Sequence, residues 1–262
     1  MDLGLQQRTA VVLGASRGLG RAIAESLAAE DANVLLCARS EDALINAAAE
    51  LDDLGSGRVS YYAVDLSRPE APDDINASAE EQLGPVDILV NNGGGPPPGP
   101  VAVTERSIWR QQFDDMIAPL FELGGLVVPG MRQRGWGRIL TVVSSGVVQP
   151  IPNLGLSNAL RGSVVGWSKT LAGEVAGNGV TVNCIAPGRV ATDRTAELDQ
   201  HGAQRQGLSV AEIKRNSQAM IPAGRYGDPA EFGDTAAFLV SARASYITGS
   251  VIRVDGGLIK SI

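Results

Sequence analysis

Short apolar runs alternate with longer amphipathic ones along the whole of this chain, and that alternation leaves few folds open. The runs Thr9–Leu13, Asn33–Cys37, Val59–Ala63, Asp87–Val90, Arg138–Val143, Thr181–Ile185 and Val251–Val254 read as strands. Helical patterning falls between them, at about 18–30, 41–54, 70–83, 104–134, 155–177 and 229–241. Strands separated by helices run parallel, and the crossover helices cover both faces of the sheet. Several of the runs are apolar without a break, as strands buried on both sides should be. Ser40, followed by Glu41 and Asp42, suits a helix cap and first turn. The stretch Gly93–Pro100 is a loop, because its consecutive prolines carry no ladder donors. Residues 193–225 are polar and weakly periodic, and read as a variable insertion in a position to act as a lid. With no linker and no repeat, the 262 residues read as one domain.

Composition removes several classes of function. Two cysteines far apart, Cys37 and Cys184, make neither a disulfide framework nor a metal cluster, and the single histidine, His201, excludes multi-histidine metal chemistry. The expected metal content is none. A net charge of −7 argues against a nucleic-acid partner. No apolar run approaches the roughly 20 residues of a membrane helix and no charged-then-apolar leader opens the chain, so a soluble cytoplasmic protein is expected.

The first strand runs into Gly14-Ala-Ser-Arg-Gly18-Leu-Gly20 and then a helix. Glycines there permit a tight turn and bring backbone N–H groups close to a pyrophosphate, and the positive end of the helix completes an anion site. The same glycines would also serve a close strand–helix crossing. The end of the second strand should read the ribose. A dinucleotide site for NAD wants an acid there; this chain has Arg39, whose guanidinium suits a 2′-phosphate, with Arg17 in the glycine turn as a second positive charge. The expected cofactor is NADP.

With these residues in view, the chain resembles the short-chain dehydrogenase/reductase family, in particular 3-oxoacyl-ACP reductases, over essentially its whole length. Gly14–Gly20 is similar to the family's TGxxxGxG, with Leu13 in place of Thr. Asp65 and Leu66 in AVDLS match the acid that touches the adenine amine. Asn91-Asn92-Gly93-Gly94 resembles NNAG, and Pro187-Gly188-Arg189-Val190-Ala191-Thr192 resembles the PGxxxT that lines the nicotinamide. Tyr246–Gly249 and Asp255–Gly257 match the C-terminal strand. The resemblance implies a Rossmann-type, seven-stranded, doubly wound sheet and a homotetramer, or at least a dimer. It also implies a cofactor site built from Gly14, Ser16, Arg17, Gly18, Leu19, Gly20, Arg39, Asp65, Leu66, Asn91, Gly93, Pro187, Gly188, Val190 and Thr192.

The catalytic positions depart from the family's relay of Asn, Ser, Tyr and Lys. Ser144 matches the serine that holds the substrate oxygen. Ser157 stands where Tyr belongs, Arg161 where Lys belongs, and Met116 where Asn belongs. A serine hydroxyl is a far weaker acid than a phenol of pKa about 10, and is shorter. Arginine stays charged and does not pass a proton as lysine can, although it can hold a ribose, a carboxylate or a phosphate. Tyr226 is the remaining phenol that could substitute, but its place in RYGDP favours a structural role. Ser145 either binds a ligand oxygen or caps its loop. Cys184 reads as a small core residue, and Asp114 and Asp115 as a solvated face.

Two readings follow. One is an NADP-dependent oxidoreductase acting on a small carbonyl or alcohol substrate, with Ser144, Ser157 and Arg161 as an altered proton relay. The other is a catalytically weak or inactive NADP(H)-binding sensor or oligomer partner.

Overall fold

The computed structural model describes residues 1–261. Seven strands form one parallel sheet: β1 Thr9–Leu13, β2 Asn33–Ala38, β3 Val59–Ala63, β4 Ile88–Asn91, β5 Gly137–Val142, β6 Val180–Pro187 and β7 Val251–Val254. Their order is β3-β2-β1-β4-β5-β6-β7, so the winding reverses between β1 and β4. In open sheets of this kind a ligand crevice lies at that reversal, outside the carboxyl ends of the strands.

Register explains how the core divides. Val11 sits between Leu35 and Leu89, and Val12 between Leu36 and Val90. Successive side chains on a strand point to opposite faces. Val12, Leu36 and Val90 therefore pack with Ile23 and Leu27 of α1 (Gly18–Ala29), Leu44 and Leu51 of α2 (Glu41–Asp52) and Phe232 and Ala236. Val11, Leu35 and Leu89 pack with Ile75 and Ala79 of α3 (Ala71–Gln82) and with Leu123 and Val127. Ser40 caps α2 by accepting from the Ala43 N–H, and acids follow it in the first turn.

Two expectations are corrected. The single helix read over 104–134 is two, α4 Arg106–Met116 and α5 Ala118–Arg134, joined at Ile117. Pro119 opens α5 at a position where its missing N–H costs nothing. Gly124 lies against Trp167 of α6 (Gly155–Val175), where an added Cβ would stand 2.8 Å from the indole. The segment 193–225, read as an irregular insertion, folds largely into α7 Asp193–Gln206 and α8 Val210–Ala219. Thr192 caps α7, and Ser209 with Glu212 forms a reciprocal capping box at α8. The last helix, α9 Pro229–Leu239, begins with a second such box from Asp228 and Glu231. On α6, Gly162, Gly166 and Gly173 meet nothing within 4 Å of an added Cβ, so that face is flat and uncovered. No helix among the described residues is long and apolar enough to cross a membrane.

Candidate active site

Because every strand is parallel, the segments that follow β1 to β6 emerge at the same edge of the sheet, and most of the residues singled out above stand on them. Gly14 and Gly18 both have φ of 61°, the left-handed region where a side chain would be strained. A Cβ on Gly20 would collide with the Gly14 carbonyl and the Asn92 amide, so Gly20 is what lets α1 start against the turn. Gly20 is buried and shapes the site without facing it. Ser16 and Leu19 are half-buried. Gly18 faces the Thr192 side chain across a groove lined also by Arg21 and Asp193. The Thr192 hydroxyl is engaged as the cap of α7.

Arg39 is exposed just past the end of β2 and forms no ion pair among the described residues. Its charge reaches Asp65, just past β3, whose carboxyl is held below its ordinary range mainly by the N–H and hydroxyl of Ser67, with Arg39 and Arg68 adding to this. Arg17 is also exposed, but lies 3.9 Å from both Asp193 and Glu197, so two acids of α7 share its charge. Leu66 is half-buried and packs on the α3 side of the sheet.

Asn91 lies inside the sheet. It has no exposed surface: Nδ2 donates to Thr141 Oγ1 across the β4–β5 pair at 3.4 Å, and Oδ1 is sealed without a partner. It joins β4 to β5 beside the reversal point of the sheet. Its neighbour Asn92 donates to the Gly14 carbonyl and links the two loops at the reversal point. Gly93 lies near the Met116 carbonyl, where α4 ends. On the far side, the Gly188 N–H donates to Val254, and a Cβ at Gly188 would strike Asp255. Pro187 ends β6, and Val190 is buried beneath the surface.

Ser144 follows β5. Its hydroxyl accepts from the Gly146 N–H at 3.1 Å, which leaves its own proton to donate. Ser145 is largely buried, and the cap of its loop belongs to Ser144. Ser157 is half-buried in the first turn of α6, with no protein hydrogen-bond partner among the described residues. Arg161 follows one turn later on the same face. Its Nη1 donates to the Val142 carbonyl at 3.0 Å and Nη2 to the Gly94 carbonyl at 2.8 Å. Burial pulls its pKa down to about 10, which still leaves it charged at neutral pH.

Tyr226 does not replace the missing phenol. It is buried, and its hydroxyl donates to Asp199 Oδ2 at 2.9 Å. Asp199, 3% exposed on α7, also accepts from Arg189 at 2.8 Å. This buried carboxylate pins α7 to the Pro187–Thr192 segment. Sequence reasoning missed it, because an acid in a polar stretch reads as solvated. Cys184 is buried, its thiol pushed up by burial, and its Sγ lies 3.4 Å from Ser168 Oγ.

A family model described as enoyl-(acyl carrier protein) reductase matches residues 14–259. The 3-oxoacyl-[acyl-carrier-protein] reductase FabG of Vibrio cholerae is 36% identical over 258 residues, covering 98% of this chain and 99% of the relative. The chain belongs to the short-chain dehydrogenase/reductase family. Among solved members of the family, L-sorbose reductase from Gluconobacter frateurii, complexed with NADPH and L-sorbose, superposes with a TM-score of 0.94 at 34% identity over 100% of both chains. YwfH, an NADPH-dependent reductase involved in bacilysin biosynthesis, gives 0.92 at 29% identity over 97% of this chain and 99% of its own. The seven-stranded parallel sheet, with helices on both faces, is the fold of these reductases.

Proposed function

We propose that this short-chain dehydrogenase/reductase is an NADP-dependent oxidoreductase of a carbonyl or alcohol substrate, working with an altered proton relay. The observation that carries the cofactor assignment is Arg39: a free guanidinium just past β2, on the same edge of the sheet as a turn with no room for side chains at Gly14 or Gly20. The residues fit the dinucleotide. Gly14–Gly20 and the start of α1 would hold its pyrophosphate, Asp65 its adenine, Arg39 and Arg17 its 2′-phosphate, and Gly93, Gly188 and Thr192 its nicotinamide end. L-sorbose reductase is complexed with NADPH and YwfH is NADPH dependent, which supports the assignment.

Bound there, the dinucleotide supplies or accepts the hydride. This chain's own residues handle the oxygen. The Ser144 hydroxyl, fixed by the Gly146 N–H, donates to the substrate oxygen. Ser157, without a protein partner, orders the water that carries the proton. Arg161 does not transfer a proton: it stays charged and holds the ends of β5 and of the loop after β4 in register. General acid catalysis by a positioned group is typically worth 10²–10⁴-fold, so the relay should be slow and not absent.

The sensor reading keeps one supporting observation, that Arg161 is committed to backbone carbonyls. Titration with NADPH, then single-turnover assays with ketones and acyl thioesters, tests both. Binding with oxidation of NADPH supports the oxidoreductase; binding with no turnover on any substrate supports the sensor.

A further inference from the structure

Arg161 is a half-buried cation with no anion beside it. Its two hydrogen bonds go to neutral carbonyls, and its pKa responds to burial alone, with no charged group contributing. Arg138 is a useful contrast. It is buried outright and also lacks a carboxylate, but it stacks on Trp136, and Nε and Nη1 reach the carbonyls of Ser241, Gly137 and Gly179 at the opposite end of β5. Arg138 is held by three carbonyls and an indole face, where Arg161 has two carbonyls and no ring. In Arg161, Nε has no acceptor among the described residues, yet the only side-chain atom there that is both sealed and unpartnered is Asn91 Oδ1. The Arg161 Nε edge is therefore open, and it opens at the carboxyl edge of the sheet.

Two hydroxyls share that edge. Ser157 is one helical turn before Arg161 on the same face of α6, about 6 Å along the axis. Ser144 lies two residues beyond Val142, whose carbonyl Arg161 holds. A guanidinium half withdrawn from water keeps only part of its hydration, and a carboxylate at its open edge offers the charge-assisted, fork-matched contact that carbonyls do not. We propose that the substrate is an oxo acid: Arg161 takes its carboxylate, and the ketone, one or two carbons away, lies at Ser144. The proposal rests on the oxidoreductase reading for its site, but its test does not.

The test compares acetoacetate with methyl acetoacetate, and 2-oxobutanoate with its methyl ester, by calorimetric binding to the protein with and without NADPH. Each acid should bind at least tenfold more tightly than its ester. In Arg161→Gln the preference should collapse, and in Arg161→Lys, which keeps the charge and loses the fork, part of it should survive. Equal affinities of acid and ester for the wild type, in either state, would overturn the proposal, whatever the variants do. So would an unchanged preference in Arg161→Gln alongside weakened NADPH binding, which would make the cofactor the anion that Arg161 serves. If NADPH fails to bind while the acid preference stands, the cofactor reading falls and this one is supported.

Discussion

Replacing Arg39 by Asp should reverse the choice of dinucleotide. Arg39 is exposed and unpaired, so nothing in the fold depends on it and the variant should melt with the wild type. A charge-assisted contact to a 2′-phosphate contributes about 1.5–3 kcal/mol, so its loss weakens NADPH binding roughly 10- to 150-fold. Exposure to solvent places the expected loss near the lower end, and the preference should narrow as salt rises from 0.05 to 0.5 M, because the Debye length shrinks below about 10 Å. The new carboxylate stands close to Asp65, and the pair repels a phosphate further while accepting from the 2′-hydroxyl of NADH. Arg39→Ala separates the two effects: it should lose NADPH affinity without gaining NADH affinity. Nucleotide fluorescence titrations of the three proteins supply the numbers. Equal affinity of the wild type for NADPH and NADH, or an unchanged ratio in Arg39→Asp, would refute the reasoning.

Further outcomes are expected. Ser157→Tyr with Arg161→Lys restores a phenol and an ammonium one turn apart, and should raise turnover of a generic ketone by up to about 10²–10⁴-fold, each single change doing little. Because Lys does not span the Val142 and Gly94 carbonyls and the ring must fit the cleft, the double variant should also lose about 1–3 kcal/mol, read as a lower Tm; a wild type already reducing ketones fast, and slowed by the change, would refute the weakened relay. Gly20→Ala should abolish nucleotide binding, because its methyl strikes the Gly14 carbonyl, and calorimetry with NADPH decides it. The protein should run as a dimer or tetramer in light scattering at micromolar concentration. The open glycines of α6 cost about 1 kcal/mol each in an isolated helix, and a partner backbone packed on them would offset that. Gly166→Arg should then shift the species downward, and a monomeric wild type would contradict the assignment.

The central strands were legible because they are sealed on both faces and read as largely apolar runs, and the edge strands β3 and β7, half-buried, by their β-branched and aromatic residues; the ends moved by only one or two residues. The break at Ile117 was not. Apolar spacing runs through it, and Pro119 marks a helix start no more clearly than a kink. Helices α7 and α8 escaped because they bury little: Thr195, Asp199 and Ala203 in one, Ile213 in the other. Their caps, Thr192 and Ser209-Glu212, were in plain view and were the better signal. In the site, the glycine turn and Arg39 could be found because residue type decides what a loop after a strand can hold. The environment of Arg161 could not, since its partners are carbonyls, which every residue carries. Nor could the bridge from Asn91 to Thr141, since a motif gives the residue and not the direction of its side chain.

The carboxylate of Asp199 has a consequence for motion. Few apolar contacts hold α7 and α8 to the rest of the chain, and this one acid, gripped by Tyr226 and Arg189, ties them down. Such a pair forms its own cooperative unit, able to lift while the sheet stays whole. Its amides should exchange with solvent through that partial opening, far sooner than those of β1 or β4, whose exposure requires the entire molecule to come apart. The α7–α8 pair, which begins beside Gly18 and Thr192, would then have its own equilibrium, adjustable at Asp199 without touching the stability of the sheet.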